Sequence, residues 1–274
     1  MCRTPALAAT ALALLAAPVM AAEPAKPQAA AGVSAPATAA PLRAKAAAPQ
    51  RAEARRMDPL ARAAFWGREL EIDARDTEAA VGLAQALRAL GRNDEAADVA
   101  GRGLVIAPDN YDLLMESARA AVARGQGFYA VEPAKKAQAL APRDWRPLAL
   151  LAVAMEQTGR DSEALGYHQQ ALALAPGEPG AISNLAMYHA THGDLPKAEQ
   201  MLRQAAASPR ADARVRQNLT LVLGLQGRMA EAEALARQDL PPDQVANNLA
   251  WLKAATERAP TGQGRSWEAV TGGR

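Results

Sequence analysis

Residues 145–178 read WRPLALLAVAMEQTGRDSEALGYHQQALALAPGE, two apolar-periodic runs parted by Gly159 and closed by Pro176. A step of 34 residues back from Pro176 reaches Pro142, and a second step reaches Pro108. The same step joins Gly91, Gly125, Gly159, Gly193 and Gly227, and also Ala96, Ala130, Ala164, Ala198 and Ala232. A fixed period made of two helical runs is the mark of a solenoid, in which each helix pair buries its apolar face only against its neighbours.

Small residues recur where helix axes must come close. Ala84, Ala118, Ala152 and Ala186 hold one site on the first helix of each pair, and Gly103, Ala137, Ala171 and Ala205 hold a second site on the other. Leu83, Leu151, Leu185 and Leu219 then fill the space between repeats, with Ser117 the polar exception in that column. The chain has 274 residues, half of them hydrophobic, but only two Phe and four Trp, so the core has to be made from Leu, Ala and repeat geometry.

The net charge of +2 is unevenly spread. Residues 23–56 hold six basic and two acidic residues, and Arg3 adds one more basic group, which leaves the sequence from Met57 onward mildly acidic. That balance excludes the clustered basic face that nucleic-acid binding needs. At the N-terminus, Arg3, the uncharged apolar run 6–17 and the small-residue pattern Val19-Met20-Ala21 predict a secretory signal at 1–21, cleaved after Ala21, with a retained anchor as the alternative. Cys2, the only cysteine, precedes the apolar run, so no disulfide framework is expected.

Residues 22–57 are rich in Ala and Pro and predict a disordered tether. The repeat domain is expected over 58–258. It opens with a leading helix at 58–72, capped by Asp58 with Pro59 in the first turn. Repeats follow at 77–110, 111–144, 145–178, 179–212 and 213–242, and a closing helix at 243–258 is capped by Asp243, with Val245, Leu249, Trp251 and Leu252 as its apolar members. In the second repeat Pro133 falls inside the second helix, which predicts a start delayed to Glu132 or a kink. In the fourth, Asp194 should cap the second helix; in the fifth, Pro241-Pro242 should end it. Residues 259–274 predict a flexible tail, with Trp267 either an isolated aromatic or a short docking motif.

Catalysis has little support in the sequence. His189-Ala190-Thr191-His192 can put two imidazoles on one helix face, but spacing marks no third ligand; packed or surface roles are expected, with His189 in a packing column, His192 before the turn glycine, and His168 partly buried. No phosphate loop, nucleophile elbow or acidic metal cluster is present, and no enzyme activity, metal or cofactor is expected. A ladder of Asn184, Asn218 and Asn248, each just before a packing leucine, falls on helices that line the inner wall of such a stack. There the amides can bond to the backbone of an extended peptide or, alternatively, to the neighbouring repeat. Arg88, Arg119, Arg146 and Arg214 occupy further first-helix positions, where they would favour acidic segments or a C-terminal carboxylate, or serve as an ordinary solvated face.

Trp145, Leu148, Leu151, Ala152, Gly159, Ala164, Ala171 and Pro176, with their counterparts 34 residues away, resemble the tetratricopeptide repeat (TPR). The resemblance implies an all-α fold, a superhelix of stacked antiparallel helix pairs over about residues 58–258. More narrowly, ALRALGRNDEAADVA (86–100), DWRPLALLAVAMEQTGR (144–160) and NLTLVLGLQGRMAEAEALARQDLPPDQVANNLAWL (218–252) are similar to the TadD proteins of Flp (tight-adherence, type IVb) pilus assembly. That resemblance implies an exported, non-enzymatic periplasmic scaffold for a pilus or secretin component, associated with the outer membrane through its partners. Many relatives are lipoproteins. This chain lacks a cysteine after its apolar run, so no lipid anchor is expected.

Overall fold

The computed structural model describes residues 44–258, which form thirteen helices and no strand. The predicted signal, most of the tether and the tail with Trp267 lie outside them. A leading pair, α1 (Ala48–Ala54) and α2 (Pro59–Ile72), precedes five antiparallel pairs. These are α3 (Thr77–Ala89) with α4 (Asn93–Ile106), α5 (Tyr111–Ala123) with α6 (Gly127–Leu140), and α7 (Trp145–Gln157) with α8 (Asp161–Leu174). Next come α9 (Pro179–Thr191) with α10 (Leu195–Ala206) and α11 (Ala213–Leu225) with α12 (Met229–Ala236), and α13 (Pro242–Arg258) closes the stack.

The glycine column makes the turns. Gly91, Gly125, Gly159, Gly193 and Gly227 all have φ between 69° and 85°, where a side chain would be strained. One residue later an N–H reaches back across the turn to a carbonyl five residues earlier: Arg92 to Leu87, Gln126 to Ala121, Arg160 to Met155, Asp194 to His189 and Arg228 to Leu223, each at 2.9 Å. The alanine columns are sealed: Ala84, Ala118, Ala152 and Ala186 have no exposed surface, nor do Ala130, Ala164 and Ala198. Leu151, Leu185 and Leu219 are buried between repeats, and Leu83, near the leading end, is only half-buried.

A second 34-residue column starts the helices. Asp76, Asn110, Asp144 and Asp212 each accept a backbone N–H of the first turn that follows, at 2.9–3.1 Å. Glu178 breaks the column and makes no such bond; Pro179 at the first helical position needs no donor satisfied there. Asp58 and Asp194 cap α2 and α10.

Several expectations are corrected. Ordered structure starts before Asp58, because Arg51 of α1 is held by Glu69 of α2, Asp76 at the α3 N-cap and Glu78 of α3, a stabilisation that composition does not reveal. α6 starts at Gly127 and runs through Pro133, so there is no delayed start; glycine at 127 lets the helix begin against α7, where a Cβ would lie 2.6 Å from the Ala154 carbonyl oxygen. α12 ends at Ala236, well before Pro241, as its last turn tightens through bonds from the Gln238 N–H to Leu235 and from the Asp239 N–H to Ala236. α13 begins at Pro242, which puts Asp243 inside the first turn rather than at the cap. Trp251 is 51% exposed, because it lies about 100° round the helix from the buried Leu252. Leu60, at the start of α2, is exposed as well.

Candidate protein-binding groove

Successive first helices pack on one another, α3 on α5, α5 on α7, α7 on α9 and α9 on α11, whereas successive second helices do not to a comparable extent. A stack drawn together along one edge curves towards it, so the first helices form the inner wall. Along that wall a column at 34-residue spacing runs Gly82, Glu116, Leu150, Asn184 and Asn218. Glu116 is its one charged member.

In the leading half, Glu116 is 1% exposed and takes Arg88 Nε at 3.0 Å on one oxygen and Arg119 Nη1 at 2.5 Å on the other. Two candidate arginines therefore meet on a carboxylate that sequence reasoning missed. The signal was available, since Glu116 stands in the column of Asn184 and Asn218, but nothing in one dimension says that residues 28 apart touch. Both guanidinium groups remain partly exposed and keep donors for a further acceptor.

Arg146 is committed within the chain. It forks onto Asp144 at 2.9 and 2.5 Å and lies 5.9 Å from the Tyr111 ring centroid. Tyr111 donates its hydroxyl to the same carboxylate at 2.5 Å. Burial pushes the Asp144 carboxyl up, but Arg146 and Tyr111 outweigh it and bring it down to about 2. Burial and Asp144 together push the Tyr111 phenol up to about 12. Arg214 is exposed and has no ion pair among the described residues.

The asparagine ladder divides. Asn218 Nδ2 donates to Ser183 Oγ of the preceding repeat at 3.0 Å, which ties α11 to α9. Asn184 and Asn248 are half-buried and have no side-chain partner among the described residues, so their amides are open to a ligand. Leu150 and Val153 of α7 and Leu221 of α11 are half-buried apolar side chains on first helices.

His168 is buried and His189 half-buried, whereas His192, at the C-terminal end of α9, is exposed. His168 is buried in the column that holds Ala100 and Ala134, with Nε2 at 2.6 Å from Glu156 Oε1. His192 stacks on Tyr188 at 4.0 Å between ring centroids, and its Nδ1 lies 2.7 Å from the Tyr188 carbonyl oxygen. His189 meets the edge of the same ring at 5.7 Å; burial and then Lys197 hold its imidazole below the usual range. Among the described residues no three His, Cys, Asp or Glu side chains are placed to share a metal ion. None of the described helices is long and apolar enough to cross a membrane.

Such a wall on a stack of helix pairs defines a protein-binding solenoid. Models of the tetratricopeptide repeat match residues 148–182 and 180–208. The fold is similar to that of a thermophilic TPR protein of Thermus thermophilus, with 25% identity and a TM-score of 0.58 over 65% of this chain and 99% of that one. It is also similar to a tetratricopeptide repeat protein of Parabacteroides merdae, with 12% identity and a TM-score of 0.63 over 75% of this chain and 80% of that one. No curated protein matches the sequence. The middle repeats thus match the tetratricopeptide repeat, and the fold is that of TPR helix stacks.

Proposed function

We propose that this protein is a non-enzymatic periplasmic scaffold that holds a segment of another protein in its inner groove and assists assembly of a Flp/Tad pilus or its secretin. The observation that carries the groove reading is the pair Asn184 and Asn248, half-buried amides on α9 and α13 with no partner among the described residues, on a run of helices that also carries half-buried Leu150, Val153 and Leu221. Open amides and apolar side chains on one run of helices suit a peptide, whose backbone takes the hydrogen bonds and whose side chains take the apolar surface. The partly exposed Arg88 and Arg119 add a place for an acidic group at the leading end. The signal-like sequence at 1–21 and the segments similar to TadD proteins support the periplasmic and pilus parts of the reading.

The test has two arms. Asn184→Ala combined with Asn248→Ala should weaken partner binding about tenfold or more with little change in Tm, as expected for ligand hydrogen bonds of about 1 kcal/mol each. A loss of Tm with unchanged binding would assign both residues to the scaffold. Removing the protein from its cell should reduce pilus assembly and secretin multimers; normal levels of both would overturn the pilus role. A general envelope adaptor that recruits cell-wall enzymes or proteases is the alternative, favoured by the generic character of the matched repeats. Crosslinking in the native envelope separates the two by the partners recovered.

A further inference from the structure

The leading helix α1 is joined to the stack unlike any other element. It is seven residues long, too short to hold a helix alone, and its N-cap Ala47 offers no side-chain acceptor. The only apolar side chain it buries is that of Ala54, which meets Trp66 and Ala79. Everything else that holds it is charge. Arg51 Nη2 lies 2.5 Å from Glu69 and 2.7 Å from Asp76, and Nη1 lies 2.8 Å from Glu78. Arg51 Nε donates to the Ala46 carbonyl, and the guanidinium sits 5.8 Å from the Trp66 ring centroid. Lys45 reaches Asp73 at 2.5 Å and Asp76 at 3.3 Å, and Arg55 pairs with Glu78.

The seat itself belongs to the stack. Trp66 is buried against α3 because Gly82 has no side chain; a Cβ there would lie 2.6 Å from the indole. Glu69 and Trp66 come from α2, Asp76 caps α3, and Glu78 lies in the first turn of α3. The seat is thus an aromatic floor ringed by four carboxylates from rigid elements, and its resident is a marginal helix that delivers one buried guanidinium.

We propose that the seat of Glu69, Asp73, Asp76 and Glu78 around Trp66 is a docking site for an arginine-bearing, alanine-rich helical segment of a partner protein. The helix α1 fills the seat in cis and exchanges with that segment. This site lies at the leading end of the stack and does not depend on the groove reading.

The probe is a labelled peptide of residues 43–57, RAKAAAPQRAEARRM, titrated into the full chain by fluorescence anisotropy. Arg51→Ala in the protein should free the seat, so that the variant binds the peptide at least about tenfold tighter than the unaltered chain. The same substitution in the peptide should abolish binding, and raising salt towards molar concentration should weaken binding about tenfold as the ion pairs are screened. Equal, negligible binding by both proteins would overturn the proposal. So would tight binding of the peptide that lacks its arginine. If the variant does not fold, amide exchange in the unaltered chain decides: α1 should exchange about a hundredfold faster than α2, and faster still in high salt. Equal protection of α1 and α2 would overturn exchange in cis.

Discussion

The leading pair α1–α2 and the third-repeat pair α7–α8 share one layout and are held by different forces. In α7–α8, Ala152, Ala164 and Ala171 are sealed, and their small size lets Leu148, Leu151 and Met155 close the interface. In α2 the positions equivalent to Ala96, Ala100 and Gly103 of α4 are Arg62, Trp66 and Glu69. Side chains of that size keep a partner helix from approaching closely, so α1 meets the stack through a guanidinium instead. The comparison teaches that the same hairpin geometry can be cemented by non-directional burial or by ion pairs. The two forms answer to different perturbations: burial to changes of volume, ion pairs to acid and salt.

The sharpest break should come from the packed pair. Leu151→Ala, at a site 2% exposed, should cost about 2–5 kcal/mol in urea or thermal unfolding, because it removes apolar contact and leaves a cavity. A cost below about 1 kcal/mol would mean that the repeats are not held by burial. Glu116→Ala tests the charged member of the inner-wall column. Loss of two charge-assisted bonds should cost about 1.5–3 kcal/mol, less than full burial would demand, because Arg88 and Arg119 can return to water.

Acid should divide the two pairs next. Burial pushes the Asp76 carboxyl up, but Arg51, the Ala79 N–H and Lys45 outweigh it and bring it down to about 2, against 3.8 for the free group. A depressed carboxyl contributes stability that is complete above its unfolded value and is lost as pH falls through its folded one. Amides of α1 should therefore lose protection between about pH 4 and pH 2 while α8 keeps its own, as read by hydrogen exchange. The smallest effect belongs to Asn218→Ala, which loses the bond to Ser183 and should lower stability by about 0.5–1.5 kcal/mol.

Much of the stack was legible from the sequence. The glycine column announced five left-handed turns, and the alanine columns announced where axes approach, because both demands are local and recur at a fixed step. The cap column Asp76, Asn110, Asp144 and Asp212 was equally periodic and was overlooked, since Glu178 interrupts it. Which candidate residues fall on first helices was legible, but not which partners their side chains take.

By itself, then, the sequence determined the repeat, its period, its turns and its sealed small-residue sites, because period and residue size act through the backbone and nearest neighbours. Only the tertiary structure decided which polar side chains are already spent. Arg88 and Arg119 meet on Glu116, Arg146 turns back on Asp144, Asn218 reaches Ser183, and Arg51 makes an ordered helix out of alanine-rich chain. Apart from the contacts of Arg119 and Arg146 with carboxylates two or three residues away, each pairing joins different helices, and the distance between long polar side chains depends on how those helices are finally packed.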